Sequence, residues 1–486
     1  MRRPTKLVGF VVTSFVAADL IFLYKLSNQL SFDETMGIIP GRDHHSPHNM
    51  MIDRHRLISK NEDEKDAPSA NVDVINKDNF HNNATSTRTI LTANQLQLIK
   101  IAKDRGLKNV DDRGPILEIL TQAGLHIDDE DDLDQETIDL LPTWTQIKNN
   151  YGSKPIIRGL ERCEEFRDLV EPTTRYFGIA GTFNTGTNLI ADLMKFNCEI
   201  TERMEVYGIE SRGVRWQVPW GKHMMARYRS SNHTTFTDKD VPKEHTLPLV
   251  AIRDPYSWMQ SMCRHKYAAN WPHDKTHCPN MIATKEDIKK SPMLQKMYNH
   301  HFREDKDVEK LVPIKINYSK ELSLNHSSFG HWYSEWYNDY LKADFPRLMV
   351  RFEDLLFFGK DVTRAVCKCG GGIPRKDNGR SGDFTHVAES AKKGKTAHGS
   401  MKERTNLVGA LIKYGSGEHR TDSMTKDDLI AARRHFDPEL MEAFGYRHPP
   451  PPKLKPMEVV MAQVGGKTVV ATDGGRYDDD HEGPKD

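Results

Sequence analysis

The stretch Tyr176-Phe177-Gly178-Ile179-Ala180-Gly181-Thr182-Phe183-Asn184-Thr185-Gly186-Thr187-Asn188-Leu189-Ile190 constrains this chain more than any other. Its first half is short, apolar and bounded by turn formers, which is the pattern of a buried strand. Gly181 to Gly186 is a polar loop in which Phe183 is the one bulky side chain. Beyond Thr187, the apolar residues Leu189, Ile190, Leu193 and Met194 fall on one helical face. Strand, glycine loop and helix together aim backbone N–H groups and the positive end of a helix at one point. Such a point suits a phosphate or sulfate group. The same turn can also serve packing alone.

Gly181 and Gly186 stand at the separation of a Walker A loop, after which Lys and then Ser or Thr should follow. Here Thr187 and Asn188 follow. Without a lysine on the terminal phosphates and a hydroxyl on magnesium, ordinary ATPase or kinase chemistry is disfavoured. The loop reads as an anion site rather than a metal–triphosphate site.

A second apolar strand is expected at Leu247 to Ile252. It ends in Arg253-Asp254-Pro255 and leads into a helical stretch with Trp258, Met259 and Met262. Asp254 can cap that helix and Pro255 suits its first turn. Arg253 then sits at a strand's carboxyl end, where open α/β sheets bind ligands. Ser261 lies eight residues on, about two helical turns, and can face the same side. A guanidinium and a hydroxyl make a phosphate clamp. An arginine at a strand end is by itself commonly an ion-pair partner; the upstream glycine loop is what makes the pair specific.

In this order, the two motifs resemble those of the sulfotransferase family, over roughly residues 175–446. That family takes 3′-phosphoadenosine-5′-phosphosulfate (PAPS) as its co-substrate. The resemblance implies an α/β, P-loop-like three-layer sandwich with a central parallel sheet. It assigns Thr182, Phe183, Asn184, Thr185, Gly186, Thr187 and Asn188 to the 5′-phosphosulfate, and Arg253 and Ser261 to the 3′-phosphate. The family's loop cation is replaced here by Asn184. Lys222, or a later basic residue such as Lys392 or Lys393, is therefore expected to supply the charge. Val218-Pro219-Trp220-Gly221-Lys222-His223-Met224 is similar to the segment that holds the base in cytosolic members. His223, Lys222 and Asn184 thus form the expected catalytic set, with no metal. Trp216 and Trp220 could stack on adenine, with core packing as the default for each. Arg351-Phe352-Glu353-Asp354-Leu355 resembles a family signature whose acids orient structure. Lys392-Lys393-Gly394-Lys395 would correspond to the late loop over the nucleotide, or be a solvated charge run.

The remaining chain bears on compartment. Leu7 to Tyr24 is almost wholly apolar, with Asp19 its one ionisable residue, follows Arg2, Arg3 and Lys6, and at about 18 residues is just long enough to span a bilayer. A signal anchor with a cytosolic basic flank is expected over residues 1–26; a cleaved signal peptide is the alternative. Residues 27–89 read as a flexible stem, 90–150 as a small helical module with stops at Gly106 and Gly124, 172–448 as the catalytic domain and 449–486 as a disordered tail. Leu348 to Phe352 is a third expected strand, and Leu429 to Phe444 a closing helix. All six cysteines lie at or beyond Cys163, and Asn83, Asn232, Asn317 and Asn325 each occupy a glycosylation triplet, consistent with a luminal chain. Cys263 and Cys278 are expected to bridge, against a rival zinc site with His265 and His277. Cys367 and Cys369 are too close for an easy mutual bridge, leaving Cys163 and Cys198 as partner candidates. Zero formal net charge gives no bulk field for nucleic acid.

The anchor agrees with the family's Golgi branch. The reading is a single-pass type II Golgi membrane protein that transfers a sulfuryl group to a hydroxyl of a glycan or glycoprotein. Two rivals stand beside it. One is a luminal glycosyltransferase using the metal-binding letters Asp129-Glu130-Asp131. The other is a non-catalytic nucleotide-binding relative.

Overall fold

The computed structural model describes residues 91–129, 132–298, 309–318, 322–375, 384–388 and 407–450, together with two strands at 460–464 and 467–471. The expected anchor and stem, Asn83, Glu130, Asp131, and Lys392 to Lys395 lie outside the described residues. Among the described residues no helix is long and apolar enough to cross a membrane.

A five-stranded sheet organises the α/β region. Its strands are β1 (Ile157–Arg158), β2 (Tyr176–Ala180), β3 (Val214–Arg215), β4 (Thr246–Ile252) and β5 (Leu348–Arg351), in the spatial order β1-β5-β4-β2-β3. β1 runs antiparallel to β5, and the other pairings are parallel. Every residue of β4 and β5 is buried, as expected of central strands covered on both faces. β2 pairs directly with β4, Ile179 opposite Leu249. From β2 the chain proceeds to β3 on one side; from β4 it proceeds to β5 on the other. The gap between the carboxyl ends of β2 and β4 is therefore a topological switch point, where such sheets leave a crevice.

Four helices precede the sheet: α1 (Ala93–Asp104), α2 (Gly114–Gln122), α3 (Gln135–Leu140) and α4 (Trp144–Tyr151). Gly106 and Gly124 follow α1 and α2 at φ +86°, a conformation that glycine adopts without a Cβ clash and that stops a helix. Ile116, Leu120 and Ile147 share one apolar cluster with Phe177, Ile190 and Leu355, so these helices and one face of the sheet are covered together. Tyr151 Oη donates to the Tyr414 carbonyl at 2.5 Å, and Arg351 donates to the Tyr151 carbonyl at 2.7 Å.

On the sheet, α5 (Thr187–Asn197) follows β2, α6 (Pro255–Arg264) follows β4, and α7 (Phe329–Leu341) carries the aromatic series of Trp332, Tyr333, Trp336, Tyr337 and Tyr340, all buried. α8 (Gly359–Cys369) and α9 (Leu407–Ser416) follow β5. Three disulfides join Cys163 to Cys369, Cys198 to Cys367 and Cys263 to Cys278. The zinc alternative at Cys263 and Cys278 is thereby overturned, since both sulfurs are spent on each other. Asn232, Asn317 and Asn325 are all exposed.

The closing helix expected over Leu429 to Phe444 is in fact two, Lys426–His435 and Pro438–Ala443. Proline cannot donate to the preceding turn, and Asp437 starts a new helix by accepting from the N–H groups of Glu439 and Leu440. Beyond Pro449, Val460–Val464 pairs antiparallel with Lys467–Ala471.

Candidate functional site

The loop after β2 is shaped by its two glycines. A Cβ at Gly181 would lie 2.8 Å from the Ala251 carbonyl, and one at Gly186 would lie 2.4 Å from the Phe352 ring. Gly186, at φ +83°, is the residue from which α5 starts. The loop's carbonyls are engaged by the loop itself at Thr182 and by the scaffold at Phe183 and Asn184. Those of Thr182, Phe183 and Asn184 accept, respectively, from Thr185 Oγ1 at 2.8 Å, Trp258 Nε1 at 2.8 Å and Arg253 Nη1 at 2.7 Å. The Thr182 and Tyr337 hydroxyls lie 2.9 Å apart. In a trans peptide the N–H points opposite to the preceding carbonyl, so the amides of Asn184 and Thr185 face away from that scaffold. The first turn of α5 adds N–H groups with no partner inside the helix. Among the described residues, nothing accepts from the amides of Asn184 to Asn188.

Arg253 emerges at the end of β4, packed against the edge-to-face pair of Phe352 and Tyr414, whose ring centres lie 4.7 and 4.5 Å from its guanidinium carbon. It also donates to the Tyr414 hydroxyl. Its Nε is buried and, among the described residues, has no hydrogen-bond partner. Ser261 Oγ accepts from Arg264 at 2.8 Å. Asp254 caps α6, accepting from the Ser257 N–H, and pairs with Arg420 at 2.7 Å. Beside them His419 is pushed down to about 3, first by burial and then by the charges of Lys413, Arg253, Arg264 and Arg420. The glycine loop and the end of β4 thus make two candidate anion cradles, and the second gathers more cations than Arg253 alone.

Asn184 locks the two cradles together. Its side-chain amide donates to the carbonyls of His265 at 2.8 Å and Ser261 at 3.4 Å, at the end of α6. The amide is thus spent as a brace and carries no charge to replace the absent loop lysine.

A cation reaches the loop from elsewhere. The Gly181 N–H donates to the Lys222 carbonyl at 3.0 Å, so the segment around Lys222 runs alongside the loop. Lys222 Nζ donates to Asn188 Oδ1 at 3.1 Å, in the first turn of α5, and lies 3.1 Å from the centre of the Trp216 ring. Burial, with a smaller push from Lys195, lowers its pKa to about 7 against the pull of Asp192. His223 Nδ1–H donates to the Gly181 carbonyl at 2.6 Å, which leaves the lone pair on Nε2. Burial lowers the His223 pKa to about 4, despite that carbonyl and helped by Lys222. The ring is therefore neutral at physiological pH.

Trp220 is fully buried and donates to Tyr340 Oη at 3.0 Å, a core role, whereas Trp216 is exposed. In the expected acidic signature, Arg351 grips Asp354 through two bonds of 2.7 Å. Glu353 accepts from the Asp254 N–H at 3.0 Å and from Tyr446 Oη at 3.1 Å. Both acids hold scaffold. Arg264, Lys413, Tyr414 and His419 were missed from sequence. Arg264 had one usable signal, its place one turn beyond Ser261; the other three come from a segment more than 140 residues away.

Comparison with family models, with curated proteins and with solved structures finds no match to this chain.

Proposed function

We propose that this chain is a sulfotransferase that moves a sulfuryl group from PAPS to a glycan or glycoprotein hydroxyl. On this reading the α/β region is a P-loop-like three-layer sandwich, anchored by residues 1–26 with its catalytic domain in the Golgi lumen. The observation that carries the proposal is the union of two anion cradles at one switch point, joined by the Arg253 bond to the Asn184 carbonyl.

The residues fit the donor. Outward amides of the loop suit the 5′ end, while buried Arg253, with an unmet Nε, and the Ser261–Arg264 pair suit the 3′-phosphate. PAPS supplies an activated sulfuryl group. Lys222, bonded to Asn188 in the first turn of α5, would supply the charge that Asn184 lacks; a bound phosphosulfate beside it would raise its pKa and keep it charged. His223 takes the acceptor proton on Nε2 while the acceptor oxygen forms its bond to sulfur. The bond from sulfur to the phosphate oxygen breaks, and its electron pair leaves with adenosine 3′,5′-bisphosphate.

The test is transfer of radiolabelled sulfate from PAPS onto a glycan panel, with Arg253→Ala and Lys222→Ala beside the wild type. Label should appear with the wild type and fall at least 100-fold in each variant. Bisphosphate binding without transfer would favour the non-catalytic relative. Manganese-dependent transfer from a sugar nucleotide would favour the glycosyltransferase.

A further inference from the structure

The carboxyl ends of β3, β2 and β4 lie side by side in the sheet. β4 delivers Arg253 and β2 delivers the glycine loop. β3, beyond the loop, delivers whatever faces the opposite end of a bound donor. β3 ends at Arg215, and the next residue is Trp216. Five of the seven tryptophans are buried and Trp144 is half-buried, but Trp216 is 48% exposed.

This indole sits among charges. Lys222 Nζ lies 3.1 Å and Lys195 Nζ 5.8 Å from the ring centre. Asn188, Asp192 and Lys195 follow one face of α5 at helical spacing. Lys222 bonds to the first of these and feels the charges of the other two. Arg212 Nη1 donates to the Lys195 carbonyl at 3.3 Å. Lys222 thus covers one face of the indole, Lys195 stands farther off, and the rest of the half-exposed ring lies open beside these two cations.

We propose that Trp216 is the floor of the acceptor subsite, stacking the C–H face of a sugar ring, with Lys195 pairing an acidic group on that saccharide. The proposal rests on the sulfuryl-transfer reading. An aromatic face offers a pyranose ring a large, rigid, apolar contact. The excess of cations selects a saccharide carrying carboxylates over a neutral one. Lys222 links the two halves of the site, since its ammonium touches both the Trp216 face and the first turn of the loop helix. A sugar stacked on the face of Trp216 that Lys222 leaves open is therefore one ring thickness from the cation that faces the donor.

The test titrates the full chain with an unsulfated chondroitin hexasaccharide, which bears uronates, and with neutral chitohexaose, reading affinities by calorimetry and the indole contact by tryptophan fluorescence. Adenosine 3′,5′-bisphosphate binding, measured by calorimetry, is the folding and donor-site control. The wild type should bind the acidic hexasaccharide at least tenfold more tightly than the neutral one, with a fluorescence change that Trp216→Phe abolishes. Trp216→Ala and Lys195→Ala should each weaken the acidic saccharide at least tenfold and leave bisphosphate affinity unchanged. Unaltered saccharide affinity in both variants overturns the proposal, as does a wild type that binds bisphosphate but neither saccharide. Equal affinity for the two saccharides overturns the role of Lys195. If the wild type binds no bisphosphate, the sulfuryl-transfer reading falls, and this subsite with it.

Discussion

Removal of the His277 side chain should destabilise the fold most strongly at mildly acidic pH. Its Nδ1 lies 3.0 Å from Asp287 and its Nε2 2.8 Å from Asp428, both carboxylates being buried. Carboxylate oxygens only accept, so both ring nitrogens carry protons and the ring is an imidazolium. The two aspartates also close the capping boxes of helices Lys285–Lys290 and Lys426–His435. One buried cation therefore ties two helix starts together. Cys278, the next residue, is bonded to Cys263 in α6, two positions beyond Ser261, so the clamp also supports the second cradle. Breaking a buried pair by removing one partner costs about 3–5 kcal/mol. No side chain of the three is more than 10% exposed, so solvent screening takes little from that figure. The His277 pKa is raised above its ordinary value of 6.5, chiefly by the Asp428 hydrogen bond and in spite of burial. A raised folded-state pKa means that the stabilisation is complete below about pH 6.5 and is lost as pH rises through the folded value. Urea unfolding of the wild type and His277→Ala, from about pH 5.5 to 8.5, measures this directly. The gap should be widest at the acid end and narrow toward the alkaline end. A gap below about 1 kcal/mol at every pH, or one that widens with rising pH, refutes the imidazolium clamp.

Two further outcomes follow from the site and its supports. With Lys222 near 7 in the free protein, kcat/KM for sulfuryl transfer should fall as pH rises above about 7; Lys222→Arg should move that fall well to the alkaline side, and an unmoved profile would remove Lys222 from the role. The Cys198–Cys367 bridge closes 169 residues, worth about 5 kcal/mol in loop-closure entropy and less where Cys163–Cys369 already ties the region. Replacing both Cys198 and Cys367 by Ser should lower the thermal midpoint by several degrees, and an unchanged midpoint would count against the bridge.

Sequence alone sufficed for the strand, loop and helix from Tyr176 to Met194, the buried strands at β4 and β5, and the Asp254 cap of α6. Each is a local matter of apolar periodicity, a glycine that must turn the chain, or a side chain that reaches an amide three residues on. The break before Pro438 is equally local, although the apolar spacing runs straight through it. The Cys263–Cys278 bridge was legible too, but the folded chain was needed to show that Cys163 takes Cys369 and Cys198 takes Cys367, and that α1 to α4 share their packing with the sheet. Only it decided that Asn184 braces α6 while Lys222 comes to Asn188, and that Tyr414, Lys413 and His419 close on Arg253. These contacts join residues whose separation in the chain leaves no periodic trace. They exist because β3 and β4 flank β2, an order set by how several apolar faces are buried at once rather than by any one stretch of sequence.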